Sequence, residues 1–151
     1  IESREEILHV LDTCKVVHLA MYDEDGIYML PMNFGYTYED NNLVIYIHAA
    51  LEGKKLDLLR KNPNVGFELD CDHELIEGRV PCQYGFRYAR LVGKGVAEFV
   101  EEPQEKMEAL SILMKCQTGK DFEFTERLVT IVSVIKITAK ELTGKRIELR
   151  R

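Results

Sequence analysis

The sequence predicts an α+β fold in which peripheral helices surround a six-stranded antiparallel β-barrel. Six runs of strand length follow one another, and most are joined by connections short enough for hairpins. Helical periodicity occurs in three places: at the start, in one crossover and before the last strand. Gly93 and Gly95 lie inside the longest strand, where missing side chains indicate a bulge or a barrel corner. We expect one domain, residues 1–151.

The first elements are a helix and a hairpin. Ser3 and Glu6 match a capping box, which predicts a helix from about residue 3 to Thr13. Residues 16–22 alternate in character, and Asp25-Gly26 is typical of a tight hairpin turn that leads into a strand over residues 27–36. Pro31 lacks an N–H donor, so that strand is either a simple edge strand or an interrupted one with free backbone groups.

The next stretch predicts strand, turn and helix. Residues 43–47 are β-branched, aromatic and aliphatic, and the third strand is expected to complete a meander with the first two. Leu56 and Leu59 then follow a helical period that ends before Pro63. Gly53, Lys54 and Lys55 stand at the helix start, where free N–H groups and the helix dipole favour a phosphate. The competing interpretation is a solvated first turn.

The second half continues the pattern of strands and helices. We expect a fourth strand over residues 65–70, an exposed loop over 71–84, a long strand over 87–100, a helix from Pro103 to about Gly119, a last strand over 128–137 and a basic tail over 140–151. The apolar stripe of that helix indicates core packing.

Composition restricts the class of function. The net charge is −6, so the chain lacks the overall positive field that nucleic-acid binding needs. No apolar run approaches the ~20 residues of a bilayer span, and no signal peptide is visible, so we expect a cytoplasmic protein without nucleic-acid or membrane partners.

Several kinds of site are not expected. The four cysteines are too unevenly spaced for a zinc ribbon or a disulfide framework, and we predict free thiols and no metal. A set of Cys71, Asp72, His73 and Cys82 is a weak alternative. There is no Rossmann glycine pattern and no recognisable hydrolytic set of nucleophile and base.

A series of short motifs carries a resemblance over nearly the whole chain. These are Pro31-Met32-Asn33-Phe34-Gly35, Ile45-Tyr46-Ile47-His48-Ala49-Ala50, Gly53-Lys54-Lys55, Gly93-Lys94-Gly95-Val96-Ala97-Glu98 and Glu141-Leu142-Thr143-Gly144-Lys145. In this order they resemble the pyridoxamine 5′-phosphate oxidase-like split barrels, and more narrowly the NimA-related flavin-binding proteins associated with 5-nitroimidazole resistance.

The resemblance implies a six-stranded split barrel, a homodimer and FMN bound at the dimer interface. It further implies that Lys54 and Lys55, after Gly53, hold the FMN phosphate. Pro31, Met32 and Asn33 would line the isoalloxazine ring, with His48 and Ala49 close to it. One position departs from the family pattern, because Arg90 and Leu91 stand where a serine is expected, which leaves the partner-side contact open.

Strand parity points to a covered outer face. Leu43, Ile45 and Ile47 share one face of their strand, which leaves Val44, Tyr46 and His48 on the other. We expect a second copy of the chain to cover this outer face. His48 is then either an interface histidine without chemistry or a residue close to the flavin, and it is the one weak catalytic candidate.

Two classes of function follow. The first is an FMN-dependent oxidoreductase, because a flavin carries out the redox steps and the protein has only to bind the flavin and orient the substrate. Its substrates would be small electrophilic compounds such as nitroaromatics, with NAD(P)H as a candidate reductant. The second is a flavin-binding or sensor module without turnover. A third reading is a split barrel that binds haem or a deazaflavin.

Overall fold

The structure is a computed structural model, and it describes residues 3–148. The helices are Arg4–Thr13 (α1), Lys54–Lys61 (α2), Pro103–Thr118 (α3) and Glu126–Val129 (α4). The strands are Val16–Asp23 (β1), Gly26–Asn33 (β2), Gly35–Glu39 (β3), Asn42–Ala49 (β4), Asn64–Ile76 (β5), Gly85–Val100 (β6) and Ser133–Ile147 (β7). A 3-10 turn covers Pro81–Gln83. No helix within residues 3–148 is long and apolar enough to cross a membrane.

The strands form one antiparallel sheet in the order β2-β1-β5-β6-β7-β4-β3. This open, curved arrangement confirms the α+β split-barrel prediction, but the described residues contain seven strands and not six. The extra strand arises because the predicted strand over residues 27–36 is interrupted at Phe34, whose side chain is buried. β2 therefore pairs with β1, whereas β3 pairs with β4 at the opposite edge, so the predicted three-strand meander is wrong.

Buried and solvent-facing side chains alternate along the strands, as the sequence pattern predicts, and the buried ones form the core. On β4, Leu43, Ile45 and Ile47 are fully buried. On β1, Val17 and Leu19 point to the same interior. Each such side chain stabilises the fold by roughly 1.5–3 kcal/mol relative to an exposed one.

α3 covers part of the opposite side of the sheet. Glu102 caps its start by accepting hydrogen bonds from two backbone N–H groups, and Gly119 ends it at φ +75°. A smaller apolar cluster fills the space between α3 and the sheet, and Tyr46 packs against it. The outer face at Tyr46 is thus covered by the chain's own helix, which removes the physical reason given above for expecting a second copy there.

Two element boundaries differ from the sequence prediction. β5 continues to Ile76 and pairs with β6 along a long hairpin, so the predicted loop over residues 71–84 shrinks to residues 77–84. β7 begins at Ser133 and extends to Ile147, while Glu126–Val129 is helical. Cross-strand pairing with β6 holds the polar residues of β7 in the sheet, a long-range effect that local composition does not show. The end of the predicted tail, residues 149–151, lies outside the described residues.

Candidate functional site

The start of α2 presents free backbone donors. Gly53 precedes the helix at φ +155°, a conformation that residues with side chains rarely adopt, and no side chain caps the helix. The first bond of the helix runs from the Asp57 N–H to the Gly53 carbonyl at 3.2 Å. The N–H groups before Asp57 therefore precede the helical ladder and, together with the helix dipole, favour an anion.

Lys54 is held by the β1–β2 hairpin. Its Nζ lies 3.0 Å from Asp23 Oδ2 and 4.7 Å from the centre of the Tyr28 ring. The hydrogen bond between the two side chains raises the pKa of Lys54 and lowers that of Asp23. Because the Lys54 side chain is 58% exposed and that of Asp23 24% exposed, solvent screens this ion pair and it contributes little to stability. Lys54 is therefore not a free cation in this structure.

Lys55 differs from Lys54 in its surroundings. It is half-buried, and its Nζ donates to Met32 Sδ at 3.6 Å. No carboxylate in residues 3–148 forms an ion pair with it. A thioether is a weak acceptor, so the ammonium group keeps most of its capacity to bind an anion. The structure thus brings Lys55 and Met32 together beside the start of α2.

Asn33 and Pro31 complete the end of β2. Pro31 is exposed on the edge strand β2 and pairs with His18 of β1. Asn33 Nδ2 donates to the Lys15 carbonyl at 3.1 Å. Its carboxamide oxygen has no hydrogen bond within residues 3–148 and remains an acceptor. Pro31 fits the edge-strand interpretation, and the break in the strand comes three residues later.

His48 lies beside a separate cavity. It is exposed near the end of β4, whereas its neighbour Ala49 is buried. The cavity measures about 240 Å³. Six apolar residues line it together with His48: Leu110, Leu113, Met114, Phe124, Leu128 and Val132. Among the described residues, none of the other predicted site residues lines this cavity, so the structure separates His48 from the group around Lys55.

Two larger cavities lie on the outer face of β1, β5 and β6. They measure about 400 Å³ and about 340 Å³ and share a floor that includes Ala20 and Gly66. Ile27 and Met29, each 62% exposed, stand at their rims. Sequence reasoning did not single out this surface, although the residues on β1 that alternate with Val17 and Leu19 already pointed away from the core.

An ionisable cluster borders the second of these cavities. His18 Nδ1 lies 3.2 Å from Glu68 Oε1, and Asp70 follows Glu68 on the same face of β5 and binds His73. Burial, followed by the neighbouring Asp70 carboxylate, raises the pKa of Glu68 to about 7. A hydrogen bond from Glu68 lowers the pKa of Asp70. With a pKa of about 7, Glu68 is protonated in mildly acidic solution and loses its proton around neutral pH.

Comparison with known proteins identifies the family of the chain. A family model described as pyridoxamine 5′-phosphate oxidase matches residues 3–146. A candidate 5-nitroimidazole antibiotic resistance protein from Bacteroides thetaiotaomicron has a solved structure that is 32% identical in sequence. The match covers 95% of this chain and 84% of that protein, with a TM-score of 0.81.

Two more distant structures share the fold. The FAD- and haem-binding protein from Mycobacterium smegmatis is 18% identical, with coverage of 98% and 73% of the two chains and a TM-score of 0.84. An FAD-binding protein from Mesorhizobium loti is 23% identical, with coverage of 97% and 96% and a TM-score of 0.64. No curated protein matches the sequence.

Proposed function

The chain belongs to the pyridoxamine 5′-phosphate oxidase family, and on this basis we propose that it binds FMN and reduces small electrophilic compounds. The relative from Bacteroides thetaiotaomicron, described as a candidate 5-nitroimidazole resistance protein, supports nitroaromatic compounds as the substrate class. The observation that carries flavin binding is Lys55, a half-buried cation without a carboxylate partner at the start of α2.

The FMN phosphate fits this helix start on grounds of charge. A phosphate dianion would accept hydrogen bonds from the free N–H groups after Gly53 and from the Lys55 ammonium. Lys54 is already paired with Asp23 at 3.0 Å, so its charge is partly neutralised before a phosphate arrives. We therefore assign Lys55 the larger share of phosphate affinity and Lys54 the smaller share.

The residues at the end of β2 fit the edge of the flavin ring. Met32 contacts Lys55 and packs against the core, which gives the ring a polarisable apolar neighbour. The free carboxamide oxygen of Asn33 can accept from the ring's imide N–H. Pro31 keeps this edge free of strand pairing.

The His48 cavity has room for a small aromatic molecule, and reduction of such a molecule requires the flavin ring to lie against this cavity, which the proposed flavin residues of the same chain do not line. Its volume of about 240 Å³ is below the ~300–1,000 Å³ that is typical of sites for drug-sized ligands. Its apolar side chains exclude water, while the imidazole can hold or donate a proton at the cavity mouth. When bound, the flavin supplies the hydride or electrons, with NAD(P)H as the proposed reductant.

We also propose a homodimer, formed through the outer face of β1 and β2 and not through the outer face of β4. Tyr22, Ile27 and Met29 are 56–62% exposed on the outer face of β1 and β2. Contiguous apolar surface of this kind typically marks an interface. A second copy seated there would also cover the two large outer cavities.

A flavin-binding module without turnover is the second candidate. This alternative is favoured because, among the described residues, Lys55, Met32 and Asn33 do not line the cavity beside His48. Oxidation of NADH or NADPH in the presence of a nitro compound distinguishes the two. Haem or a deazaflavin in place of FMN would give a different absorption spectrum.

The lysine assignment is tested with FMN and riboflavin, which differ by the phosphate. Lys55→Ala should weaken FMN binding by about 10–100-fold, the equivalent of one charge-assisted hydrogen bond, and leave riboflavin binding nearly unchanged. Lys54→Ala should cost less, and Lys61→Ala, at the far end of the same helix, serves as the matched control. Flavin fluorescence quenching gives both affinities. Equal losses for the two ligands, or no loss in folded Lys55→Ala, would place the phosphate elsewhere, with Arg87, Arg90 and Lys145 the next candidates.

A further inference from the structure

Two thiols, an imidazole and a carboxylate meet where α1 packs against β5, and we propose that they bind a zinc-class divalent metal ion. The donor atoms of His9, Cys71 and Asp72 all lie within 4.8 Å of one another. The Cys14 thiol donates to the carbonyl of Asp70, the residue before Cys71, at 3.3 Å. These four residues are termed here the α1–β5 cluster, and none of them is among the residues proposed to bind flavin.

Local backbone structure explains how the cluster forms. Cys14 is the C-cap of α1, and His9 lies on the same helix. On β5 the pairing register shifts between Cys71 and Glu74, and Asp72 adopts φ +59°, which L-residues seldom do. This bulge brings Asp72 Oδ2 to 2.8 Å from His9 Nε2.

The sequence did not predict this set because its members come from distant segments. The set considered there combined Cys71 and Asp72 with His73 and Cys82. In the structure Cys82 is exposed on the 3-10 turn and His73 is bound to Asp70. α1 supplies His9 and Cys14 in their place.

Two sulfur atoms, one nitrogen and one oxygen form a donor set that suits tetrahedral zinc. On binding, each thiol releases its proton to solvent and forms a sulfur–metal bond, and nothing is oxidised or reduced. Two thiolates and one carboxylate around a 2+ ion leave a net charge of −1. Arg146, whose guanidinium lies 3.2 Å from Asp72 Oδ2, offsets that charge.

Burial gives the site a closed side and an open side. Cys14 and Cys71 are 9% and 6% exposed, respectively, so the sulfur atoms are shielded from solvent. The side chains of His9 and Asp72 are 48% and 33% exposed, which leaves a route for the ion. A bound ion would tie α1 to β5 and stabilise the fold, because the unfolded chain does not hold this set together.

The test uses the reduced full-length chain with Co²⁺ as the spectroscopic probe. We expect one Co²⁺ per chain with a thiolate-to-cobalt charge-transfer band, displacement of Co²⁺ by Zn²⁺, and a higher thermal midpoint in Zn²⁺. Cys71→Ser should abolish these effects. Cys82→Ser should keep them, since Cys82 lies outside the cluster. Absence of the band in the wild-type chain, or equal loss in Cys82→Ser, would overturn the proposal.

A second pair of variants covers the case in which Cys71→Ser does not fold. His9→Ala and Asp72→Asn change the exposed side of the cluster and should leave circular dichroism unchanged. Each should weaken Zn²⁺ binding by about tenfold or more while the thiolate band persists at saturating Co²⁺. Unchanged Zn²⁺ affinity in both variants would show that the imidazole and the carboxylate are not ligands and would overturn the site as proposed.

Discussion

Gly35 sets how closely α3 approaches the sheet, and Gly35→Ala should therefore destabilise the protein markedly. A Cβ built at Gly35 would lie 2.4 Å from Leu113 Cα and 2.7 Å from Leu113 N. Both atoms belong to the backbone of α3, so no side-chain rotation can relieve the contact. To restore an ordinary contact of 3.4 Å, the helix would have to move by roughly 1 Å.

The magnitude follows from what moves with the helix. Overpacking of this kind typically costs about 1–3 kcal/mol, and we expect about 3 kcal/mol here because the packing of α3 on the sheet is disturbed along with Gly35. For a chain of this size that cost corresponds to a fall in the thermal midpoint of roughly 6–12 °C. The shift should also widen the His48 cavity, since Leu113 lines it.

Urea unfolding followed by circular dichroism measures this cost directly. Gly85→Ala is the matched control, because Gly85 is also in a strand and no atom would lie within 4 Å of its Cβ. The control should change the free energy of unfolding by less than about 1 kcal/mol. If Gly35→Ala were as stable as Gly85→Ala, the close packing of α3 on β3 would be refuted.

Three further predictions concern charge, assembly and capping. The pKa of Glu68 is about 7 in the folded protein and 4.5 for a free glutamate side chain, the value expected in the unfolded chain. Between these pH values the folded state binds one proton more than the unfolded state, so the free energy of unfolding falls as the pH rises. We expect the free energy of unfolding to fall by about 1–2 kcal/mol over this pH range, after allowance for the partial exposure of Glu68. Urea unfolding at a series of pH values measures this fall, and Glu68→Gln should remove it. The same pH dependence in Glu68→Gln and the wild type would contradict a raised pKa of Glu68. Light scattering should give twice the 17.5 kDa chain mass for the wild type and the single mass for Met29→Asp, whereas a monomeric wild type would contradict the dimer. Glu102→Ala should cost about 1 kcal/mol and Glu101→Ala almost nothing, and equal effects would argue against the cap of α3.

Local patterns predicted most of the fold. Ser3 caps α1 by accepting from Glu6 N at 3.2 Å, and α2 lies between Gly53 and Pro63 as its period indicates. Strand parity on β4 was confirmed by the burial of Ile45 and Ile47. These features depend on residues close in sequence, which is why the sequence alone shows them.

Long-range features were not predictable in the same way. The separation of β2 from β3 depends on the burial of Phe34, and the covering of Tyr46 depends on a helix that begins almost 60 residues later. Lys54 and Lys55 are alike in sequence, and only the fold shows that Asp23 binds one of them. Their role in phosphate binding stays a prediction, as do the roles of Pro31, Met32, Asn33, His48 and Ala49.

Flavin content tests the central claim most directly. The purified full-length chain, saturated with FMN and freed of excess ligand, should show a flavin absorption spectrum and release FMN on denaturation, identified by mass. Riboflavin should bind more weakly than FMN, because Lys55 and the start of α2 would lack a phosphate to bind. A colourless protein that does not bind FMN at micromolar concentration, or one that carries haem instead, would contradict the claim.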